Sequence, residues 1–224
     1  VSTTGTGAID LDGIGALTLI DVDTVNGAIT VTSAGALTVT DVASGTNGNI
    51  SLTTTSGDIT GLATVNAGSG NVTLNSAGAI ADDASAATVV TGGVLTADAA
   101  GAIEIDSTVA SADISTSAAG AVDLDETDAI TLTDLDTTDG SITVDAGGAL
   151  TVTDVASGTN GNISLTMTSG DITGLATVNA GSGNVTLNSA GAIADDGSAG
   201  TVVTGGVLTA DAAGAITIDS TVTS

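Results

Sequence analysis

Gly48-Asn49-Ile50-Ser51-Leu52-Thr53 returns 22 residues later as Gly70-Asn71-Val72-Thr73-Leu74-Asn75. Apolar and polar residues alternate in both copies, so Ile50 and Leu52, like Val72 and Leu74, share one side of a short strand while hydroxyl and amide residues take the other. A second alternating run follows each: Ile59 comes nine residues after Ile50, and Ile80 eight after Val72. Clusters such as Ser44-Gly45-Thr46-Asn47-Gly48-Asn49 between the runs read as turns. Apolar residues never recur at three- and four-residue spacing for long enough to make a helix.

Working outward, the leading apolar residues fall at Val1, Ile29, Ile50, Val72, Val94 and Ile114, in steps of 28, 21, 22, 22 and 20 that total 113. The same 113 is the offset at which Ala36–Ile103 recurs as Ala149–Ile216, with differences only at Thr54/Met167, Ala84/Gly197 and Ala87/Gly200. Gly7-Ala8-Ile9-Asp10-Leu11-Asp12 likewise matches Gly120-Ala121-Val122-Asp123-Leu124-Asp125. The chain therefore reads as two tandem modules, 1–113 and 114–224, the second continuous with the first and both expected to belong to a longer array. Val1 opens the chain and its single Met is Met167, consistent with a segment or a processed piece.

Short strands every ~20–22 residues, joined by turns too short for crossover helices, fit two architectures. An immunoglobulin-like sandwich array normally fills its core with aromatic rings and places Pro in its turns, and this chain has no Phe, Trp, Tyr or Pro. A parallel β-solenoid needs only Val, Ile, Leu and Ala to fill the narrow interior of each coil. The fold class predicted is all-β: a right-handed parallel β-solenoid with about five coils of 20–28 residues per module. Asn49 should then lie over Asn71 and Gly48 over Gly70, with hydrogen bonds running between stacked Asn side chains.

Twenty-six acidic residues and no Lys, Arg or His give a net charge of −26. Nucleic acid is excluded as a partner, since phosphate contacts need basic residues and base stacking needs rings. No apolar run approaches the roughly 20 residues that span a bilayer, so no direct membrane insertion is expected. Without Cys there is neither a disulfide nor a thiolate metal site. Catalysis near neutral pH wants a group that titrates there, a cationic electrophile or a metal, and the only acids here are carboxylates that recur with the repeat. The expectation is a non-catalytic protein that requires no cofactor.

Gly27-Ala28-Ile29-Thr30-Val31-Thr32-Ser33-Ala34-Gly35-Ala36-Leu37-Thr38-Val39-Thr40 resembles the repeats of filamentous-haemagglutinin-type secreted bacterial adhesins. That resemblance covers essentially the whole chain. It implies a β-helical stalk, an extracellular or cell-surface location, and a role as an adhesin stalk or extracellular matrix filament that self-associates end to end or laterally. No cell-binding motif identifies a receptor.

Three further features of the residues carry chemistry. Asp10-Leu11-Asp12, Asp21-Val22-Asp23, Asp123-Leu124-Asp125 and Asp134-Leu135-Asp136 each place two carboxylates about 7 Å apart on one strand face. Such oxygen pairs suit weak Ca²⁺ binding, with a solvated acidic face as the plain reading. Glu126, Asp128 and Asp139 would add to these faces, and Asp82-Asp83 and Asp195-Asp196 sit in turns. Carboxylates stacked on neighbouring coils should titrate above their ordinary range. Thr-x-Thr pairs such as Thr30/Thr32 and Thr53/Thr55 raise ice binding as a minor alternative, although 22-residue steps from Ser51 and Thr53 run to Thr73 and Asn75 and then break at Leu95 and Ala97. Four sequons, at Asn49, Asn71, Asn162 and Asn184, coincide with turns that enter strands.

Overall fold

The computed structural model describes all residues except Ala86, Thr88, Thr201 and Ser224. It is all-β among the described residues, and every strand pairing assigned is parallel. The chain divides into two compact units, Val1–Ala110 and Ser111–Ser224. Each is a β-solenoid of five coils.

In unit 1 the first ladder runs through strands Ile9–Gly13, Ile29–Ser33, Ile50–Thr54 and Val72–Ser76 to the second half of Val90–Ala99. Ile9, Ile29, Ile50, Val72 and Leu95 stack in register, so the steps are 20, 21, 22 and 23. The second ladder holds Leu17–Leu19, Leu37–Val39, Ile59–Leu62, Ile80–Asp82 and the start of Ile103–Thr116. A third, shorter ladder joins Ser2–Thr3, Val22–Thr24, Val42–Ala43, Val65–Asn66 and the start of Val90–Ala99. Unit 2 repeats the plan, its first ladder stacking Val122, Ile142, Ile163, Val185 and Leu208 in the same four steps.

Each coil thus has three strands rather than the two read from sequence, because pairs of residues as short as Val42-Ala43 and Val65-Asn66 form the third side. The leading positions Val1, Val94 and Ile114 are also corrected. Val1 precedes a third-ladder strand and Ile114 pairs with Leu135 in the third ladder, so the true leaders are Ile9 and Val122. Val94 faces outward at 36% exposure while Leu95 is fully buried. The fourth coil, from Val72 to the start of the fifth at Leu95, is one residue longer than the third, and a one-residue shift reverses every side chain. That shift also mends the hydroxyl row, which continues from Thr73 to Thr96 in place of Leu95, while the neighbouring column runs from Asn75 to Asp98 in place of Ala97.

The core is aliphatic throughout: Ile29, Val31, Leu37, Leu52, Ile59, Leu74 and their counterparts are buried almost completely. Each such side chain contributes about 1.5–3 kcal/mol by leaving water. Inward hydroxyls turn the corners. Thr24 Oγ1 donates to Gly27 O at 2.7 Å, Thr54 to Gly57 O at 2.9 Å, Thr137 to Gly140 O at 2.6 Å, and Ser44 and Ser157 bond Gly48 O and Gly161 O. No buried side-chain polar atom among the described residues lacks a hydrogen-bond partner.

One glycine column explains how tightly the turns stack. A Cβ on Gly27 would lie 2.1 Å from Gly7 O, one on Gly48 2.2 Å from Gly27 O, and one on Gly70 2.5 Å from Gly48 O. Gly140, Gly161 and Gly183 repeat these approaches in unit 2. Gly48 does sit against Gly70, as the spacing predicts. The Asn stack differs in kind: Asn49 Oδ1 accepts the backbone N–H of Asn71 at 2.9 Å, and Asn71 Oδ1 that of Val94 at 3.3 Å. Side chains tie down the next backbone, because a turn N–H needs an acceptor.

Candidate functional site

The first ladder presents two outward columns, residues 10, 30, 51, 73 and 96 and residues 12, 32, 53, 75 and 98. In unit 1 the candidate pair Asp10 and Asp12 heads them, followed by Thr30/Thr32, Ser51/Thr53, Thr73/Asn75 and Thr96/Asp98. Their copies Asp123 and Asp125 head unit 2, where Asp125 stacks on Asp145. Asp125, Asp145, Thr166, Thr168, Ala146 and Gly147 line an open groove of about 430 Å³.

The other two candidate pairs belong to the third ladder. Asp21 and Asp23 flank buried Val22, and Asp134 and Asp136 flank buried Leu135. Both pairs meet further carboxylates from adjacent coils. Asp41 precedes Val42 as Asp21 precedes its partner Val22, while Asp113 pairs with Asp134 and Asp154 precedes Val155, the partner of Leu135. Sequence reading missed Asp41, Asp113, Asp145 and Asp154. The signal was present: each follows or precedes a candidate by 20 or 21 residues, the length of one coil.

This crowding has an electrostatic consequence. Partial burial, then the charges of Asp134 and Asp154, push the Asp136 carboxyl above its usual range. Burial followed by the Asp134 charge does the same to Asp154, and burial followed by Asp21 and Asp41 to Asp23. No basic side chain exists to offset these charges. Carboxylates in turns behave in the opposite sense. Asp139 Oδ1 accepts from Thr159 Oγ1 at 2.7 Å and Asn160 N at 3.0 Å, which lowers its pKa. Ser85 and Ser198 hold Asp83 and Asp196 low in the same way.

The remaining acidic candidates have structural employment. Asp82 and Asp195 accept the N–H groups of Ala84 and Gly197 two residues on. Asp139 occupies the place of Asn26, which accepts from Thr46 and Asn47. Glu126 is not on the acidic face: it turns inward, 3% exposed, and accepts Asp128 N–H at 3.1 Å. Its position is that of Gly13 in the first module, on the inward side of the first ladder.

Among the described residues no group of three or more carboxylates is placed to hold one metal ion. The acids form rows along the stack, Asp125 on Asp145 and Asp113 on Asp134. The four sequon residues Asn49, Asn71, Asn162 and Asn184 are all exposed, with their Oδ1 atoms used by the following coil. No family model, curated protein or solved structure matches the chain.

Proposed function

We propose that this chain is a structural length of a secreted or cell-surface fibre, an adhesin stalk or matrix filament of the filamentous-haemagglutinin type, and that it works without catalysis. The observation that carries this reading is repetition on the outside as well as inside. Gly27/Gly48/Gly70, Asn49/Asn71 and the Thr30/Ser51/Thr73/Thr96 row return in unit 2 at the same coil positions. An enzyme site needs a local exception to such a pattern, whereas a spacer does not. Immunogold labelling of the native cells with antibodies to residues 149–216 tests it. Label on extracellular filaments is the expected result, and label confined to the cell interior overturns it.

The stacked carboxylates favour a second reading, a polymer whose stability or assembly responds to Ca²⁺. Melting in CaCl₂ against NaCl of equal ionic strength decides it: a higher Tm in Ca²⁺ supports the reading, and equal values reject it. The continuous hydroxyl row favours a minor third reading, adsorption to ice. Unchanged ice recrystallisation in the presence of the protein removes it.

A further inference from the structure

Three asparagines of the chain stand before glycine: Asn26-Gly27, Asn47-Gly48 and Asn160-Gly161. Every other Asn precedes Ile, Val, Ala or Ser. An asparagine side chain reacts most readily with its own backbone at Asn-Gly, because glycine puts no side chain in the way of the ring that forms and lets the main chain adopt it. The fold treats the three pairs differently. Gly27 N–H donates to Thr24 Oγ1 at 3.0 Å, and Asn26 is half-buried with its Oδ1 held by Thr46 Oγ1 and Asn47 N. Asn47 and Asn160 are exposed, and the N–H groups of Gly48 and Gly161 have no acceptor among the described residues. Those two sites then part company, although residues 36–53 and 149–166 are identical. Ser69 Oγ donates to Asn47 Oδ1, and Ser182 Oγ to Asn160 Oδ1 at 2.7 Å. Of the two, only Asn160 is also held through Nδ2, which donates to Thr159 Oγ1 at 3.2 Å and to Asp139 Oδ1 at 3.4 Å. The difference comes from the preceding coil, where Asp139 takes the place of Asn26 and brings a carboxylate.

We propose that Asn47-Gly48 is a self-modifying site, a turn that deamidates without an enzyme, and that Asp139 suppresses the same reaction at Asn160-Gly161. Gly48 N loses its proton and attacks Asn47 Cγ. A C–N bond forms, the Cγ–Nδ2 bond breaks, and ammonia leaves with the proton, closing a cyclic imide. The Ser69 hydroxyl on Oδ1 steadies the charge that gathers on that oxygen. Water then opens either imide bond: cleavage at Cγ restores the main chain with an aspartate, and cleavage at the main-chain carbonyl leaves an isoaspartate. One water enters, one ammonia leaves, and nothing is oxidised or reduced. Asp139 works against this at Asn160. Its charge disfavours loss of the neighbouring Gly161 proton, and the bonds to Nδ2 must break before the amide can turn onto Gly161 N. A hydrogen bond of ordinary net strength that is lost on the way slows the step roughly 2- to 10-fold. Each event at Asn47 adds a negative charge to a chain that stands at −26 with no basic side chain. Isoaspartate also adds an atom to the main chain, in a turn where Gly48 lies too close to Gly27 O to admit even a Cβ. The altered turn therefore pushes its coil from the one before. The proposal holds whether or not the chain belongs to a fibre.

Peptide mass spectrometry on the whole folded chain, incubated at neutral pH over a time course, tests this. Cleavage before Asp yields residues 41–57 and 154–170, told apart by Thr54 and Met167, and residues 23–40 with Asn26. The aspartate product adds a cut before position 47 and isoaspartate does not, so both products are counted. Asn47 should gain about one mass unit, roughly 2- to 10-fold faster than Asn160, with Asn26 also slower than Asn47. In urea, where only the identical local sequences remain, Asn47 and Asn160 should react at one rate. Asn26→Asp should slow Asn47 toward the rate of Asn160, and Asp139→Asn should speed Asn160 toward that of Asn47. Each substitution installs the residue that the other module already carries there, and Asp139 Oδ1 makes the same bonds to the following turn as Asn26 Oδ1. No mass gain at Asn47, equal rates at Asn47 and Asn160 in the folded wild type, or a difference that persists in urea overturns the proposal. So do rates that ignore both substitutions.

Discussion

Ala84 has φ 57°, the left-handed region that costs an L-residue about 1–2 kcal/mol, and its counterpart Gly197 has φ 74°. Both N–H groups are held by the same aspartate turn. Ala84→Gly should therefore raise stability by about 1 kcal/mol, less whatever glycine adds to the freedom of the unfolded chain, as a higher urea midpoint will show. Gly48→Ala should act in the reverse sense, since the new methyl would meet Gly27 O at 2.2 Å. A loss of about 1–3 kcal/mol in the same titration is expected, and a neutral result would mean that the stacked turns move apart without cost. Titration sets a third expectation. Asp23, Asp136 and Asp154 have raised folded pKa values, so the folded state takes up protons first as pH falls toward the ordinary carboxylate value of about 4. Stability is lost as pH rises from that ordinary value through the raised folded ones, so at low salt Tm should be higher near pH 4 than at pH 7. Asp83, Asp139 and Asp196 oppose this below the ordinary range, where their stabilising turn bonds are lost by protonation. Asp136→Asn should flatten the rise, and an unchanged profile would place its origin elsewhere.

The individual strand shows where sequence reading succeeds and where it fails. Alternation in Ile50-Ser51-Leu52 or Val72-Thr73-Leu74 leaves one choice of inward face, and the structure adopts it. Gly92-Gly93-Val94-Leu95-Thr96-Ala97 offers two, because Val94 and Leu95 are adjacent and both apolar. Equal spacing favoured Val94, but the extra residue of the fourth coil awards the core to Leu95, and with it the whole outward row. Leu95→Ala should accordingly cost about 2–5 kcal/mol, whereas Val94→Thr should change stability by less than about 0.5 kcal/mol; equal costs would contradict the register. The third ladder was invisible for a different reason. Two-residue strands such as Val42-Ala43 have no periodicity to detect and exist only because neighbouring coils pair with them. The acidic pairs themselves were legible, but their neighbours Asp41, Asp113 and Asp154 emerge only once coil length is known.

At the scale of the molecule, stability is a sum over coils and their neighbours, so opening is expected to begin where a coil has a partner on one side only. Amides of Val31 and Leu52, bracketed by coils above and below, should exchange far more slowly than those of Leu11 and Ala210 in dilute solution. Uniform protection across all four would argue for one indivisible cooperative block. Peptides for that measurement must come from a protease other than trypsin, because the chain has no Lys or Arg. The lengthening of successive coils, 20, 21, 22 and 23 residues in both units, also bears on inheritance. Near-identical gene segments recombine out of alignment, and the daughter protein must fold from whatever offset results. A crossover displaced by 113 codons keeps the coil lengths and the column of Gly27, Gly48 and Gly70, since it exchanges a residue for its own counterpart. One displaced by a single coil splices steps of unequal length and can set glycine against a side chain where carbonyl and glycine once met. Selection should therefore let such a gene grow and shrink by whole modules and discard the alleles that differ by a coil.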